Sequence, residues 1–222
     1  MLKRVWRGAL ELLRQGTYWE MKRRAGVVGR AGLGPAMGEL AARAPELRVH
    51  LAGHSFGARL VSFAPGGLPD GVRVQSLTPA PRRLLALRVH PPGCRSHLGR
   101  SGVLRDAPER VAGTVACCWS RHDTALGTLY PLASRLSGDS ESLLGLDESR
   151  WGAMGHDGMR AVPDCAALSL ADALAGALPA SGCANIDAGE VVRRGGPPSG
   201  AHSDICHAEL ARVVLMAGRG MR

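Results

Sequence analysis

Residues 47–62 read Leu47-Arg48-Val49-His50-Leu51-Ala52-Gly53-His54-Ser55-Phe56-Gly57-Ala58-Arg59-Leu60-Val61-Ser62. Leu47, Val49 and Leu51 alternate with Arg48, His50 and Ala52, which is the period of a strand with one buried face. Gly53-His54-Ser55-Phe56-Gly57 then fits the pattern G-x-S-x-G, and Ala58, Leu60 and Val61 open a helix-compatible run. The stretch is therefore strand, sharp turn, helix. A serine on such a turn has a strained backbone and a projecting hydroxyl. Gly53 and Gly57 lack a Cβ, so strand and helix can approach closely around Ser55. The helix start beyond Ser55 favours negative charge, and the Phe56 N–H is placed to donate to an oxyanion.

The flanking sequence extends the same alternation. Upstream, Leu2, Val5, Trp6, Ala9, Leu10 and Leu13 have helical spacing over residues 2–14, and residues 19–24 continue with a basic face. Gly26, Gly29, Gly32 and Gly34 predict a loop. Pro35 then suits a helix start, with Met37, Leu40, Ala41 and Ala44 as its apolar stripe and Pro45 as its end. Downstream, the helix from 57 to about 64 stops at Pro65-Gly66-Gly67, and Val72, Val74 and Leu77 alternate as the next strand. Val111–Trp119 is an apolar, strand-like run leading into Ser120-Arg121-His122-Asp123. Residues 129–136 and 164–178 predict helices, and 184–192 a short strand or hairpin. The polar run 138–149 predicts a loop, and the Gly-rich stretch 151–158 a turn. Leu210, Val213, Val214 and Ala217 form the stripe of a last helix, with Ser203 or Asp204 as its cap. Helices alternating with strands predict an α/β fold in one domain over 1–222, with a mostly parallel sheet flanked by helices.

GHSFGARL resembles the nucleophile elbow of the α/β-hydrolase superfamily, in its lipase and esterase branch. The resemblance covers residues 33–78 and 110–218. It implies a Ser-His-Asp triad in the chain order Ser55, Asp123, His202. Ser55 would be the nucleophile, His202 the base and Asp123 the carboxylate that orients it, with Phe56 N–H as an oxyanion donor and Gly53, His54 and Gly57 completing the elbow. An acid just past a parallel strand suits a triad carboxylate, while the same position suits a helix N-cap, so Asp123 carries both readings. His202 arrives on a Gly/Pro loop before the last helix; His207, one turn further on, is the alternative base. In the family, several strands and a second oxyanion donor precede the elbow. Only 46 residues precede Leu47 here, and they read as helix, loop and helix. The expectation is a partial α/β-hydrolase fold with the N-terminal strands missing.

Composition narrows the alternatives. The formal charge is +9. Lys and Arg exceed Asp and Glu by 6 over residues 1–30 and by 7 over 71–105, whereas 106–222 is net acidic by 4. A basic nucleic-acid-binding protein is therefore one reading, but neither basic zone interleaves aromatics or carries a zinc-finger or RNA-recognition signature, so nucleic acid is not the expected partner. Residues 79–105 are Arg- and Pro-rich with no acid, which predicts an irregular segment. A lid and the product of a shifted reading frame in a GC-rich gene both fit it. A tryptic peptide from this segment in the native protein, with an uninterrupted frame in independent reads, would sink the second idea.

The six cysteines form no C-x-x-C, and Cys117 and Cys118 read as small core residues. His202 and His207 have a spacing that does not share a helical face, so a zinc site is not expected, and the resemblance to the α/β-hydrolases implies no cofactor. No run is long enough to span a bilayer and no secretory leader is recognisable, which predicts a cytoplasmic location. The expected function is that of a serine hydrolase acting on a small acyl or ester-type substrate; a catalytically impaired hydrolase fragment or pseudo-hydrolase is the alternative.

Overall fold

A computed structural model describes residues 17, 20–81, 107–124, 158–159, 164–197 and 199–219. Five strands form one sheet: β1 (His50–Ser55), β2 (Ser76–Pro81), β3 (Thr114–Trp119), β4 (Ala166–Ser169) and β5 (Gly182–Asp187). Their spatial order is β1-β2-β3-β5-β4, and every described pairing is parallel. The chain is of the α/β class. Besides helical residues 20–28, the described α-helices are α1 (Gly34–Arg43), α2 (Phe56–Phe63), α3 (Leu170–Asp172) and α4 (Ala208–Arg219), with a single turn at Ala107–Arg110.

Alternation along β3 shows how the core is divided. Val115 and Cys117 face a cluster with Leu51, Leu77, Met37 of α1 and Val61 of α2. Ala116 and Cys118 face the other side, against Ile186, Leu170 and Val213 and Ala217 of α4. Helices thus cover both faces, as a parallel sheet requires. β1 pairs with β2 alone among the described residues.

Several expectations are corrected. Residues 26–34 are helical rather than a loop, running from 20–28 through a widened turn at Gly29–Leu33 into α1. The glycines there permit packing: a Cβ on Gly29 would overlap the Leu60 carbonyl oxygen. The Gly34 N–H reaches back to Gly29 O, the spacing of a π turn, just before Pro35, which has no N–H to continue a regular ladder. In α1 the buried positions are Gly34, Met37 and Gly38, while Leu40 is exposed. The strand expected at 72–77 begins at Ser76 and takes in Pro79–Pro81, part of the segment expected to be irregular. Prolines cannot donate to a ladder, and the register between β2 and β3 is reduced to Leu77 opposite Val115.

Residues 166–169 form a strand where a helix was predicted, because β5 offers a full set of parallel partners from Ala184 to Asp187. The helix follows only after the Ser169–Asp172 capping box. β5 is parallel to both neighbours, so 184–192 is not a hairpin. α4 starts at Ala208, beyond Ser203 and Asp204. The expected helices over 2–14 and 129–136, the loop at 138–149, residues 151–157, Cys94 and residues 82–106 lie outside the described residues.

Candidate functional site: a serine turn beside a His–Asp pair

In a parallel sheet the C-terminal strand ends share one edge, and the loops leaving them converge there. Ser55 ends β1, Asp123 follows β3, and the chain leaving β5 leads round to His202. Ser55 has φ 59° and ψ −124°. Among the described residues only Ser55 and Asp164 combine a side chain with positive φ. Such a conformation costs roughly 1–3 kcal/mol and persists where the surroundings enforce it.

Here the enforcing contact is the approach of β1 to α2. A Cβ on Gly53 would lie 2.6 Å from the Gly57 carbonyl and 2.8 Å from Ala58 N. Gly57 itself faces open space, so the expectation that both glycines are sterically required holds for Gly53 alone. Phe56 is the first residue of α2, which places its N–H at the positive end of the helix dipole.

His202 lies in a short turn, Gly200–Ser203, and is buried, as is Asp123. The two are 79 residues apart in sequence, and His202 Nδ1 lies 2.8 Å from Asp123 Oδ2. An ionised carboxylate only accepts, so Nδ1 carries the proton and Nε2 of the neutral ring is left as the basic nitrogen. The loops holding the pair are tied together: Ala201 N–H donates to His122 O at 2.8 Å, and Asp123 N–H to Ser120 O at 3.1 Å. Ser120 Oγ donates to Val192 O at 2.6 Å and accepts from His122 N–H at 3.1 Å. Gly200 has φ 57°, and a side chain there would run into the 122–124 backbone. His54 also reaches this loop. Its Nε2 lies 2.9 Å from His202 O, and the two rings stand 4.6 Å apart at 34°.

His207, the alternative base, is engaged elsewhere: its Nε2 lies 3.0 Å from Asp204 Oδ1. Asp204 Oδ2 accepts the Arg193 and Arg194 N–H groups at 2.9 and 2.8 Å. These bonds, Arg194 first, hold its carboxyl below the usual range against the opposing effect of burial. Asp204 therefore closes the loop that carries His202 instead of capping α4. Asp123 Oδ1 is buried and has no hydrogen-bond partner among the described residues.

The structure thus brings Asp123, His202 and His54 together and sets Ser55 on the adjoining turn. No hydrogen bond joins Ser55 to His202 in this structure. A small cavity beside the pair is lined by His54, Ser120, Asp123 and His202 with Trp119 and Leu210; Ser55 is not among its lining residues. Sequence reasoning gave His54 a place in the elbow but no task, and it missed Ser120 and Asp204 as loop ties. Nothing in the chain's periodicity marks the latter two, because the bonds that tie the loops run to the backbone of Val192 and of Arg193 and Arg194. No group of metal-binding side chains occurs among the described residues. No helix among them is long and apolar enough to cross a membrane. Compared with known protein families, curated proteins and solved structures, the chain matches none of them.

Proposed function

We propose that this chain is a serine hydrolase of the α/β-hydrolase type, acting on a small ester-type acyl substrate. The observation that carries this reading is the buried His202–Asp123 pair set beside a positive-φ serine at the strand–helix turn. Ser55 Oγ attacks the acyl carbonyl as His202 Nε2 takes its proton. The same nitrogen then protonates the leaving group, and Asp123 holds the tautomer and stabilises the imidazolium. The Phe56 N–H receives the charge that develops on the carbonyl oxygen. Water repeats the sequence on the acyl-enzyme and frees Ser55.

Labelling of the purified protein with a fluorophosphonate probe tests this. The wild type is expected to label covalently and Ser55→Ala to lose the label, with His202→Ala labelling roughly 10²-fold or more slowly. A folded wild type that does not label removes the activated serine.

A second reading, a relative that binds acyl compounds without turnover, is favoured by the place of β1 at the edge of the described sheet. It predicts saturable ligand binding with no label on Ser55.

A further inference from the structure

We propose that Cys165 and Cys183 form a reversible dithiol–disulfide site, oxidised by a small two-electron oxidant of the peroxide class. The geometry comes from the sheet. Ala166 of β4 lies opposite Ala184 of β5, so one step back along the parallel pair sets Cys165 opposite Cys183. Adjacent strands run about 4.8 Å apart. That falls within the Cα separation of about 4.4–6.8 Å that a disulfide spans. Both side chains pack against the same core cluster, so they point to the same face of the sheet. Both are partly accessible, which a small oxidant requires.

The other described cysteines lack this arrangement. Cys117 shares the face but lies opposite Asn185, diagonal to Cys183. Diagonal neighbours stand about 7–8 Å apart, beyond disulfide reach. Cys117 is also fully buried, and desolvation raises its thiol pKa well above the ordinary value. Cys118 faces the opposite side of the sheet, and Cys206 is exposed outside the sheet.

Within the pair the roles differ. The interaction between the two neighbouring thiols lowers the Cys183 pKa and raises that of Cys165. Cys183 is therefore the attacking sulfur and Cys165 the resolving one. The Cys183 thiolate attacks one peroxide oxygen and the O–O bond breaks. The sulfur becomes a sulfenic acid, and the departing hydroxide takes up the Cys183 proton as water. Cys165 sulfur then attacks the sulfenic sulfur, the S–O bond breaks, and the Cys165 proton leaves with the oxygen as a second water. Two thiols and one peroxide give one disulfide and two waters, the two electrons passing from sulfur to oxygen. The bond would fasten β4, which pairs with β5 alone among the described residues, to the interior of the sheet. It lies at the strand beginnings, at the end of the sheet opposite Ser55 and Asp123, and is independent of the hydrolase reading.

The test uses the full reduced chain, dilute hydrogen peroxide, alkylation and tryptic mass mapping. No Lys or Arg separates Cys165 from Cys183, and residues 161–193 form one tryptic peptide holding these two cysteines alone. That peptide is expected to lose two hydrogens, resist alkylation and recover both properties with dithiothreitol. Its disulfide is expected to form at least about tenfold faster in the folded chain than in urea, since only folding holds the sulfurs together. The oxidised protein should melt at a higher temperature than the reduced one. Continued alkylation of both cysteines overturns the proposal. So does addition of oxygen without loss of hydrogen, a link to Cys206, or an equal rate in urea.

Discussion

The residue that links the two halves of the site is His54. Its Nε2 faces a carbonyl oxygen, which only accepts, so this nitrogen carries a proton and the bond to His202 O fixes the ring. That bond and the ring contact hold His54, the residue before Ser55, against the loop and imidazole of His202. On the proposed mechanism, His54→Ala is expected to slow fluorophosphonate labelling about tenfold, by loosening the proposed base, which must come within hydrogen-bond reach of the serine. His54→Gln, whose amide N–H sits near the same point, is expected to recover part of the loss. The low-field proton resonance of the Nδ1–H shared with Asp123 reports the same change without relying on activity. Equal labelling rates and an unmoved resonance in His54→Ala would remove the positioning role. The sequence made Ser55 and its turn readable because the pattern is local and Gly53 has a steric reason. His54 carried no such signal: its partner is a backbone carbonyl 148 residues away.

Among the elements, the β1–α2 unit and the loop that bears His202 answer to different forces. In the first, sterics decide. Gly53→Ala drives a methyl into the α2 backbone and is expected to cost about 3 kcal/mol or more, or to prevent folding. Gly57→Ala meets nothing within 4 Å and replaces a helical glycine, so it is expected to gain up to about 1 kcal/mol. Urea unfolding of the two variants checks the contrast, and equal destabilisation would refute it. In the second, a carboxylate decides. Asp204 binds two backbone N–H groups and has a depressed pKa, so its contribution is fully present above the ordinary aspartate value and disappears as pH falls through the folded value. Asp204→Asn is expected to cost about 1–2 kcal/mol near neutral pH and nothing measurable in acid. Melting curves across pH test this, and a cost independent of pH would point to shape instead of charge. The same contrast explains which elements were legible. β1, α2 and β3 show clear periodicity or apolar runs, and each appears within a few residues of its expected place. β4 does not, because Ala166, Ala167 and Leu168 prefer a helix when isolated and become a strand only beside β5. The stretch 26–34 reads as a loop because what Gly29 and Gly34 pack against, Leu60 in α2 and Ala64 and Gly67 beyond it, lies elsewhere in the chain.

Among the described residues the sheet separates two large apolar layers, and β3 gives buried side chains to both. Val115 and Cys117 belong to the layer under α1 and α2, and Ala116 and Cys118 to the layer under α4. Alternation makes this unavoidable: displacing β3 from either layer removes it from both. The arrangement predicts that damage to one layer is felt as loss of the whole. Leu77 and Val213 are fully buried on opposite sides of the sheet. Leu77→Ala is expected to cost about 2–5 kcal/mol, and Val213→Ala less, in proportion to the smaller volume removed. Each should shift the urea midpoint without changing the slope, and far-UV circular dichroism and tryptophan fluorescence should give coincident transitions in both variants. Two separated transitions in Val213→Ala, with the α4 layer melting first, would show that the layers fold independently. In that case β3 would not couple them, and a site placed between the β1 turn and the loop before α4 would lose its rigid support.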